Sequence, residues 1–323
     1  ANALCAGVLN MADGVLELGY NFTRALGSSS GQIRAREDAY GTAQGASIGF
    51  SAYGGDRTVN LGGAGATATF GTANFVGTRD AKFLLSSPTS DSMVDFQNPL
   101  NLNADHQSID VRNGSAAVDA TLSGVLSNGG LIKTGEGTLS LTGNNTYGLG
   151  TVLAAGTTVA KHDNAFGTGE ITLAGTGLLS WDSDSRMLGN PVALGGGTLG
   201  GLYSLTLNGA VSGPGNIVVG YADSSKTLTL GGTNSYSGTT AVNSGTLMVN
   251  GTHVGGGSYT VASGATLAGT GTINSATTVS GKLTPGSSGS PIGTLNIASN
   301  VPWNGGATSS SATDWLFQIG PNT

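Results

Sequence analysis

The best acidic cluster in the sequence is formed by Asp182 and Asp184, with Arg186 close by. Two carboxylates on one strand face could act as an acid–base pair on a glycosidic bond, or could bind a calcium ion. The group follows the apolar segment 178–181, however, and polar residues of this kind are common in the surface loop after a strand. We therefore predict a surface loop here, with no catalytic pair and no calcium site.

The histidines offer the next chemistry. Residues 161–163, Lys-His-Asp, could supply a general base and an orienting carboxylate, but they directly precede an Asn-Ala turn where a solvated loop is expected. His106 and His253 are isolated, so the three histidines lack metal-ligand spacing. Cys5 is the one cysteine, which rules out an internal disulfide and a cysteine-based zinc site. The sequence predicts no catalytic and no metal-binding residues.

Two further patterns are also interpreted as structural. The glycine runs 54–55 and 195–197 lack the Lys-Ser/Thr of a phosphate loop, so we predict no cofactor. Asp91 and Asp95 flank Met93-Val94 and suit a strand edge that faces water. One alternative stays open, because solenoid coils bring distant residues together: Asp182 and Asp184 could meet Asp110 or Lys161 and form the site of a polysaccharide-degrading enzyme.

The composition indicates short strands and tight turns. The chain of 323 residues has 57 glycines without a three-residue period and 8 prolines, which excludes collagen. Only 9% of the residues are charged, and the net charge is −6, so we predict no nucleic-acid partner. No apolar run has the length of a membrane helix, and we predict no membrane insertion by this segment.

An internal repeat aligns residues 138–147, TLSLTGNNTY, with residues 227–236, TLTLGGTNSY. The same offset pairs Asn145 with Asn234 and Gly156 with Gly245. We therefore predict that the two asparagines occupy equivalent turns and bond the backbone there, in a conformation that can be left-handed. A repeat this local is typical of stacked coils.

Within each copy, apolar and polar residues alternate with the period of a strand. The leucines predicted to face the interior are Leu139, Leu141, Leu228 and Leu230. Glycine and asparagine end each run, and no segment has helical spacing, so a sandwich, a barrel or a solenoid could result. Local repeats and a scarcity of aromatic residues, at 6%, favour a right-handed parallel β-solenoid with a narrow interior.

At these repeats the sequence resembles the autotransporter-associated β-strand repeat proteins of bacteria. The segment 130–147 reads GLIKTGEGTLSLTGNNTY, and the segment 236–247 reads YSGTTAVNSGTL. Residues 164–169 and 281–286 resemble the family's Asn-Ala turn and its closing segment. The second copy departs where residues 220–223 replace the lysine-containing turn. The resemblance implies a β-solenoid and a surface location, and it implies no particular activity.

These patterns predict one continuous β-solenoid over residues 1–323. Within it we expect irregular coils over 1–123, the two clearest repeats over 124–251, and a truncated closing segment over 252–323. The expected function is a secreted or surface-displayed structural or adhesive element without catalysis. Its open sheet edges predict stacking of modules into fibres.

A surface polysaccharide or a host or cell-envelope ligand is the other expected partner. A carbohydrate-binding module is the alternative function, together with the enzyme described above. A carbohydrate-binding module requires an exposed platform of aromatic side chains. The candidates for that platform are Trp181, Tyr203, Tyr221, Trp303 and Trp315.

Overall fold

The computed structural model describes residues 7–35, 47–63, 65–72, 74–77, 81–181, 185–199, 203–286, 293–299 and 301. Across these residues the chain forms strands without any helix, and so without a helix that could span a membrane. The strands pair in parallel with the strands of the coils before and after them. The predicted all-β parallel β-solenoid is therefore confirmed, and the right-handed sense of its coils stays a prediction.

The chain divides into two compact units, Ala1–Ile171 with Thr176–Leu178, and Thr172–Gly175 with Leu179–Thr323. The described strands of the first unit are β1 (Leu9–Met11), β2 (Gly14–Leu18), β3 (Ile33–Ala35), β4 (Ile48–Ala52), β5 (Arg57–Val59), β6 (Ala68–Thr69), β7 (Lys82–Leu85), β8 (Val94–Phe96), β9 (Leu100–Val111), β10 (Ala120–Leu122), β11 (Leu126–Thr134), β12 (Thr138–Leu141), β13 (Gly150–Leu153) and β14 (Thr157–Ala160). Two strands have residues in both units, β15 (Ile171–Leu173) and β16 (Leu178–Trp181). The predicted single solenoid and its three segments stay predictions.

Most strands of the first unit belong to two parallel sheets. The first sheet has the order β2-β4-β7-β9-β11-β13, and the second has the order β5-β8-β10-β12-β14. Along the chain a strand of the first sheet is followed by a strand of the second, as β11 is followed by β12. Each coil therefore turns a corner between the two sheets, and the corners of successive coils stack.

The coils shorten along the first unit. Hydrogen bonds between neighbouring coils join residues 37 apart at Asn60 and Gln97, 28 apart at Ser123 and Asp95, and 19 apart at Leu126 and Asn145. The long early coils enclose a cluster of phenylalanine rings with centroids 5.0–6.5 Å apart. Its members are Phe22, Phe50, Phe70, Phe75, Phe83 and Phe96. The expected narrow, aromatic-poor interior is wrong here, because longer coils enclose more volume.

The second unit has its own strands. They are β17 (Arg186–Leu188), β18 (Val192–Leu194), β19 (Thr198–Leu199), β20 (Leu205–Leu207), β21 (Val211–Ser212), β22 (Ile217–Gly220), β23 (Thr227–Leu230), β24 (Thr233–Asn234), β25 (Thr240–Ser244), β26 (Thr246–Val249), β27 (Thr252–His253), β28 (Tyr259–Val261), β29 (Thr266–Gly269), β30 (Thr272–Ile273), β31 (Thr277–Val279), β32 (Lys282–Pro285) and β33 (Asn296–Ile297). Three sheets run β17-β20-β23-β26-β29-β32, β22-β25-β28-β31 and β24-β27-β30-β33. From β22 onward each coil contributes one strand to each of them.

The leucine alternation positions the core as predicted. Leu139, Leu141 and Leu230 are fully buried, and Leu228 is 3% exposed. In the second unit Leu205, Leu228 and Leu247 lie in register on three successive coils. This column buries the apolar face that no single coil could bury alone.

A column of glycines sets how closely the coils of the second unit approach. Gly209, Gly232, Gly251 and Gly271 lie at the same corner of successive coils. A Cβ at Gly232, Gly251 or Gly271 would collide with the carbonyl oxygen of the glycine one coil earlier. Only glycine fits where two backbones come this close.

The two repeat asparagines occupy equivalent positions, as predicted, but Asn234 lies in the short strand β24 and not in a turn. Asn145 Oδ1 accepts a hydrogen bond from Leu126 N at 2.8 Å, and Asn234 Oδ1 accepts one from Val211 N at 3.0 Å. Both side chains are buried, and both join their coil to the coil before. Neither residue has a positive φ, so the side-chain hydrogen bonds, and not a left-handed backbone, explain the asparagines.

We expect Asn145→Ala to lower the free energy of unfolding by about 2 kcal/mol, since it leaves a buried N–H without its acceptor. Chemical denaturation followed by circular dichroism measures the change. Asn144→Ala is the matched control, because the neighbouring Asn144 is exposed and should change stability by less than about 0.5 kcal/mol. Equal losses in the two variants would contradict the buried bridging role.

Candidate functional site: the charged corner of the first unit

The corners between the first and second sheets gather many of the charged residues of the first unit. We call the residues at these stacked corners the charged corner: 19–21, 53–57, 86–93, 112–119 and 135–137. Successive corners are joined by backbone hydrogen bonds, such as Ser115 N to Ser90 O at 2.9 Å and Gly137 N to Val111 O at 2.8 Å. Only 9% of the residues in the chain are charged, so a column of corners that contains several of them is a candidate functional site.

The turn from Tyr53 to Asp56 is held by an arginine. Arg57 Nη2 donates to Tyr53 O at 3.1 Å and to Gly54 O at 2.9 Å, and its Nη1 donates to Asp56 O at 3.1 Å. Gly54 and Gly55 have φ values of 67° and 131°, which other residues rarely adopt. The Arg57 guanidinium therefore fixes the backbone of the turn at both ends, through the carbonyls of Tyr53 and Asp56.

The next corner, residues 86–93, is tied to this turn. Asp91 Oδ1 accepts from Gly54 N and from Ser92 Oγ, both at 2.7 Å. These hydrogen bonds lower the pKa of Asp91, and the one from Ser92 has the largest effect. The carboxylate therefore stays ionised. Asp56 Oδ1 in turn accepts from Met93 N at 2.9 Å. Both aspartates are exposed on their outer side.

The same loop reaches across the intervening coil to the first one. Thr89 Oγ1 donates to Glu17 Oε2 at 2.7 Å, and Ser87 Oγ donates to the same oxygen at 3.2 Å. Glu17 is exposed on the outer face of β2. Three coils therefore present carboxylates in one area of the surface.

Deeper in the corner, Asp119 is fully buried. Its Oδ1 accepts from Gly114 N and its Oδ2 from Thr138 N, each at 2.7 Å. Both carboxylate oxygens are thereby used to shape the backbone of the corner. Asp119 therefore has a structural role in the corner.

Lys133, the lysine of the repeat motif, is also fully buried. Its Nζ donates to Gly135 O and Gly137 O at 2.6 Å and to Ala155 O at 2.8 Å, which joins two coils. Burial lowers the pKa of Lys133 to about 8, while the negative charges of Glu136, Asp110 and Asp119 act in the opposite direction. The ammonium group therefore fills a cage of backbone carbonyls, which explains why the motif contains a lysine.

The second copy fills the equivalent corner differently. A Cβ at Gly156 would meet Lys133 Nζ, and a Cβ at the aligned Gly245 would meet the ring of Tyr221. Tyr221 is 7% exposed. A tyrosine ring thus takes the place of the lysine where the sequence departs from the motif.

Buried hydroxyls form a second polar network in the repeats. Tyr147 bonds Thr151 and Tyr236 bonds Thr240, each with 2.7 Å between the oxygens, and Tyr236 also bonds Tyr259 at 2.8 Å. His253 takes the register position of Asn234 on the next coil and stacks on Tyr236 with ring centroids 4.3 Å apart. Burial lowers the pKa of His253, and the ring is a packed core residue.

We expect the protein to lose stability above pH 10. Burial raises the pKa of Tyr147, Tyr236 and Tyr259, so above the ordinary value of 10.0 the unfolded chain releases protons that the folded chain retains. Each tyrosine then contributes a loss of about 1.4 kcal/mol per pH unit. Thermal melts from pH 8 to 11 measure this loss. Tyr147→Phe should make the decline less steep, and equal slopes in the two proteins would contradict the assignment.

The structure uses the other predicted charged residues as surface or turn residues. His162 Nδ1 accepts a hydrogen bond from Asn164 N at 2.9 Å, which stabilises the turn, and Lys161 is exposed. Asp110 pairs with Lys82 at 3.5 Å, and Asp95 accepts hydrogen bonds from Ser123 and Gln97. Asp182 and Asp184 lie outside the described residues. Among the residues that are described, no three His, Cys, Asp or Glu side chains converge as they would on a metal ion.

The predicted aromatic platform is wrong at Tyr221, which is buried. Tyr203 is half-buried, and its ring lies under Lys226 Nζ at 5.4 Å from the centroid. The side chain of Trp181, and the whole of Trp303 and Trp315, lie outside the described residues. The tyrosines that are exposed, Tyr20 at 77% and Tyr53 at 54%, carry no sequence motif that would have identified them.

Residues 131–160 and 224–249 match the family model of the passenger-associated-transport-repeat. The two regions contain the repeat copies, so the resemblance inferred from the sequence is confirmed there. No curated protein and no solved structure shows a significant match to the chain.

Proposed function

Because the chain carries two passenger-associated-transport-repeats, we propose that it is a surface-displayed, passenger-type β-solenoid with a structural or adhesive role and no catalysis. The observation that carries the proposal is the coincidence of the matched repeats with in-register parallel coils. A stack of hydrogen-bonded coils with few charges suits a rigid element outside the cell. Adhesion requires a contact surface on that element, and the charged corner is the candidate.

Display is tested on intact cells that produce the protein. We expect an antibody against this chain to label them without permeabilisation, and external protease to remove the label. An antibody against a cytoplasmic protein is the control for cell integrity. Labelling that appears only after permeabilisation would contradict display.

Stacking of modules is part of the proposal, because β2 ends the first sheet and no described strand pairs with its outer edge. We expect sedimentation velocity to show oligomers that grow with protein concentration. Val15→Lys places a charge on the outward face of β2 and should weaken them. A monomer at all concentrations would refute stacking.

The absence of catalysis is tested with a panel of polysaccharides. We expect no hydrolysis by the protein. If the protein hydrolyses a polysaccharide and the double variant Asp182→Asn, Asp184→Asn does not, the structural role is contradicted and a polysaccharide-degrading enzyme is supported.

A further inference from the structure

We propose that Tyr20 and Tyr53, with the carboxylates of Glu17, Asp56 and Asp91, bind a neutral pyranose polysaccharide. The inference rests on the proposed adhesive function and names its contact site. We call these five residues the tyrosine patch.

Exposed aromatic side chains are few among the described residues. Among the residues that the structure describes, the phenylalanines are buried, as are Tyr147, Tyr221, Tyr236 and Tyr259. Tyr20 and Tyr53 alone count as exposed aromatic residues in that part of the chain, at 77% and 54%. An exposed tyrosine contributes little to stability, so two neighbouring ones indicate a contact surface.

The two exposed tyrosines lie on neighbouring coils. Tyr53 N donates to Leu18 O at 3.0 Å, which places Tyr53 within two residues of Tyr20 on the neighbouring coil. Neighbouring parallel strands are about 4.8 Å apart. One extended sugar chain that lies along the stack of coils can therefore contact both rings, since the flat, C–H-rich face of a pyranose packs on an aromatic face.

Hydrogen bonds hold the backbone at Tyr53 in place. The carbonyl of Tyr53 accepts from Arg57 Nη2, and its N–H is bonded to the first coil, so both backbone groups of the residue are fixed. The following glycine is fixed in turn by Asp91. A platform whose backbone is ordered before binding loses little entropy when a ligand binds.

The charge near the tyrosines selects the class of sugar. The carboxylates of Glu17, Asp56 and Asp91 are exposed on three neighbouring coils, two of which carry the tyrosines, and the Arg57 guanidinium donates to backbone carbonyls. Asp91 and Asp56 each bond the backbone through Oδ1, and Oδ2 makes no hydrogen bond within the described residues. Ionised carboxylates accept hydrogen bonds from sugar hydroxyls and repel uronate or sulfate groups. The patch therefore fits a neutral polysaccharide and disfavours an acidic one.

The test measures binding of cellohexaose, xylohexaose, chitohexaose, maltohexaose and hexagalacturonate to the full chain by isothermal titration calorimetry. We expect at least one neutral hexasaccharide to bind and hexagalacturonate not to bind. Tyr20→Ala and Tyr53→Ala should each weaken binding about tenfold, and the double variant should abolish it. Asp91→Asn should also weaken it. Leu149→Ala is the matched control, because Leu149 is 55% exposed in the same unit and lies outside the patch.

Binding that the tyrosine variants leave unchanged, binding of hexagalacturonate alone, or no binding of any probe would overturn the tyrosine patch as a neutral-sugar site. Circular dichroism of each variant shows whether it is folded. Intact cells that display the double variant but fail to bind the sugar support the site. Cells that do not display even the unaltered protein contradict the proposed function and leave the calorimetric result for the patch standing.

Discussion

Replacing Leu228 with aspartate is expected to unfold the coils around β23. Leu228 is 3% exposed and lies between Leu205 on the preceding coil and Leu247 on the following one. The substitution removes about 1.5–3 kcal/mol of apolar burial and places a carboxylate among leucines. The total loss should exceed about 4 kcal/mol, which is exceptional for a single change.

The control for this variant is its immediate neighbour. Thr229 points to the opposite face of the same strand and is only partly buried, so Thr229→Asp should change stability by less than about 1 kcal/mol. Thermal melts and sheet content by circular dichroism compare the two proteins. An unchanged melt for Leu228→Asp, or equal damage in both variants, would show that the strand faces are wrongly assigned.

Replacing Lys133 with alanine is expected to lower the free energy of unfolding by about 3 kcal/mol at pH 7. The carbonyls of Gly135, Gly137 and Ala155 each lose a hydrogen bond from Nζ, although Gly137 O keeps the one from Thr157 N at 3.3 Å. Each buried acceptor left unsatisfied costs about 1–3 kcal/mol. The variant no longer has a buried ammonium group, and the desolvation cost that this removes offsets part of the loss. The loss at the carbonyls is larger than this offset, since three hydrogen bonds are lost and only one buried charge is removed.

Two further variants isolate the role of the ammonium. Lys133→Met keeps the length of the side chain and should still lose most of the stability, which separates hydrogen bonding from packing. Lys161→Ala removes an exposed lysine of the same unit and should lie within about 0.5 kcal/mol of the unaltered protein. Denaturant titrations provide the values. If Lys133→Met is as stable as the unaltered protein, the carbonyl cage does not depend on the lysine.

The regular part of the fold follows from the sequence because its determinants are local and recur in register. Leu139 and Leu141 alternate with polar residues, and the same pattern returns at Leu228 and Leu230, so a strand period and a coil repeat are both visible. Asn145 and Asn234 could be paired for the same reason. The repeat alignment alone identifies these two asparagines as equivalent, whatever hydrogen bonds their side chains form.

The contents of the corners could not be predicted, because they depend on which coils become neighbours. The motif contains Lys133, yet one of its three acceptors comes from Ala155 on the next coil. Tyr20 and Tyr53 lie far apart in the sequence, and only the length of the first coils brings them together. The phenylalanines from Phe22 to Phe96 converge for the same reason. The sequence carries no marker for the length of these irregular coils.

The in-register stack also determines how such a chain can change its length during evolution. Deleting one residue within β23 would turn its remaining side chains to the opposite face, whereas deleting one whole coil would join strands that already share a register. Corners are less constrained, since the first unit accepts a long loop at 86–93 and a three-residue turn at 135–137 between the same two sheets. Recombination between β23 and β26 would preserve the leucine column. Insertions at a corner would add new surface without disturbing the core.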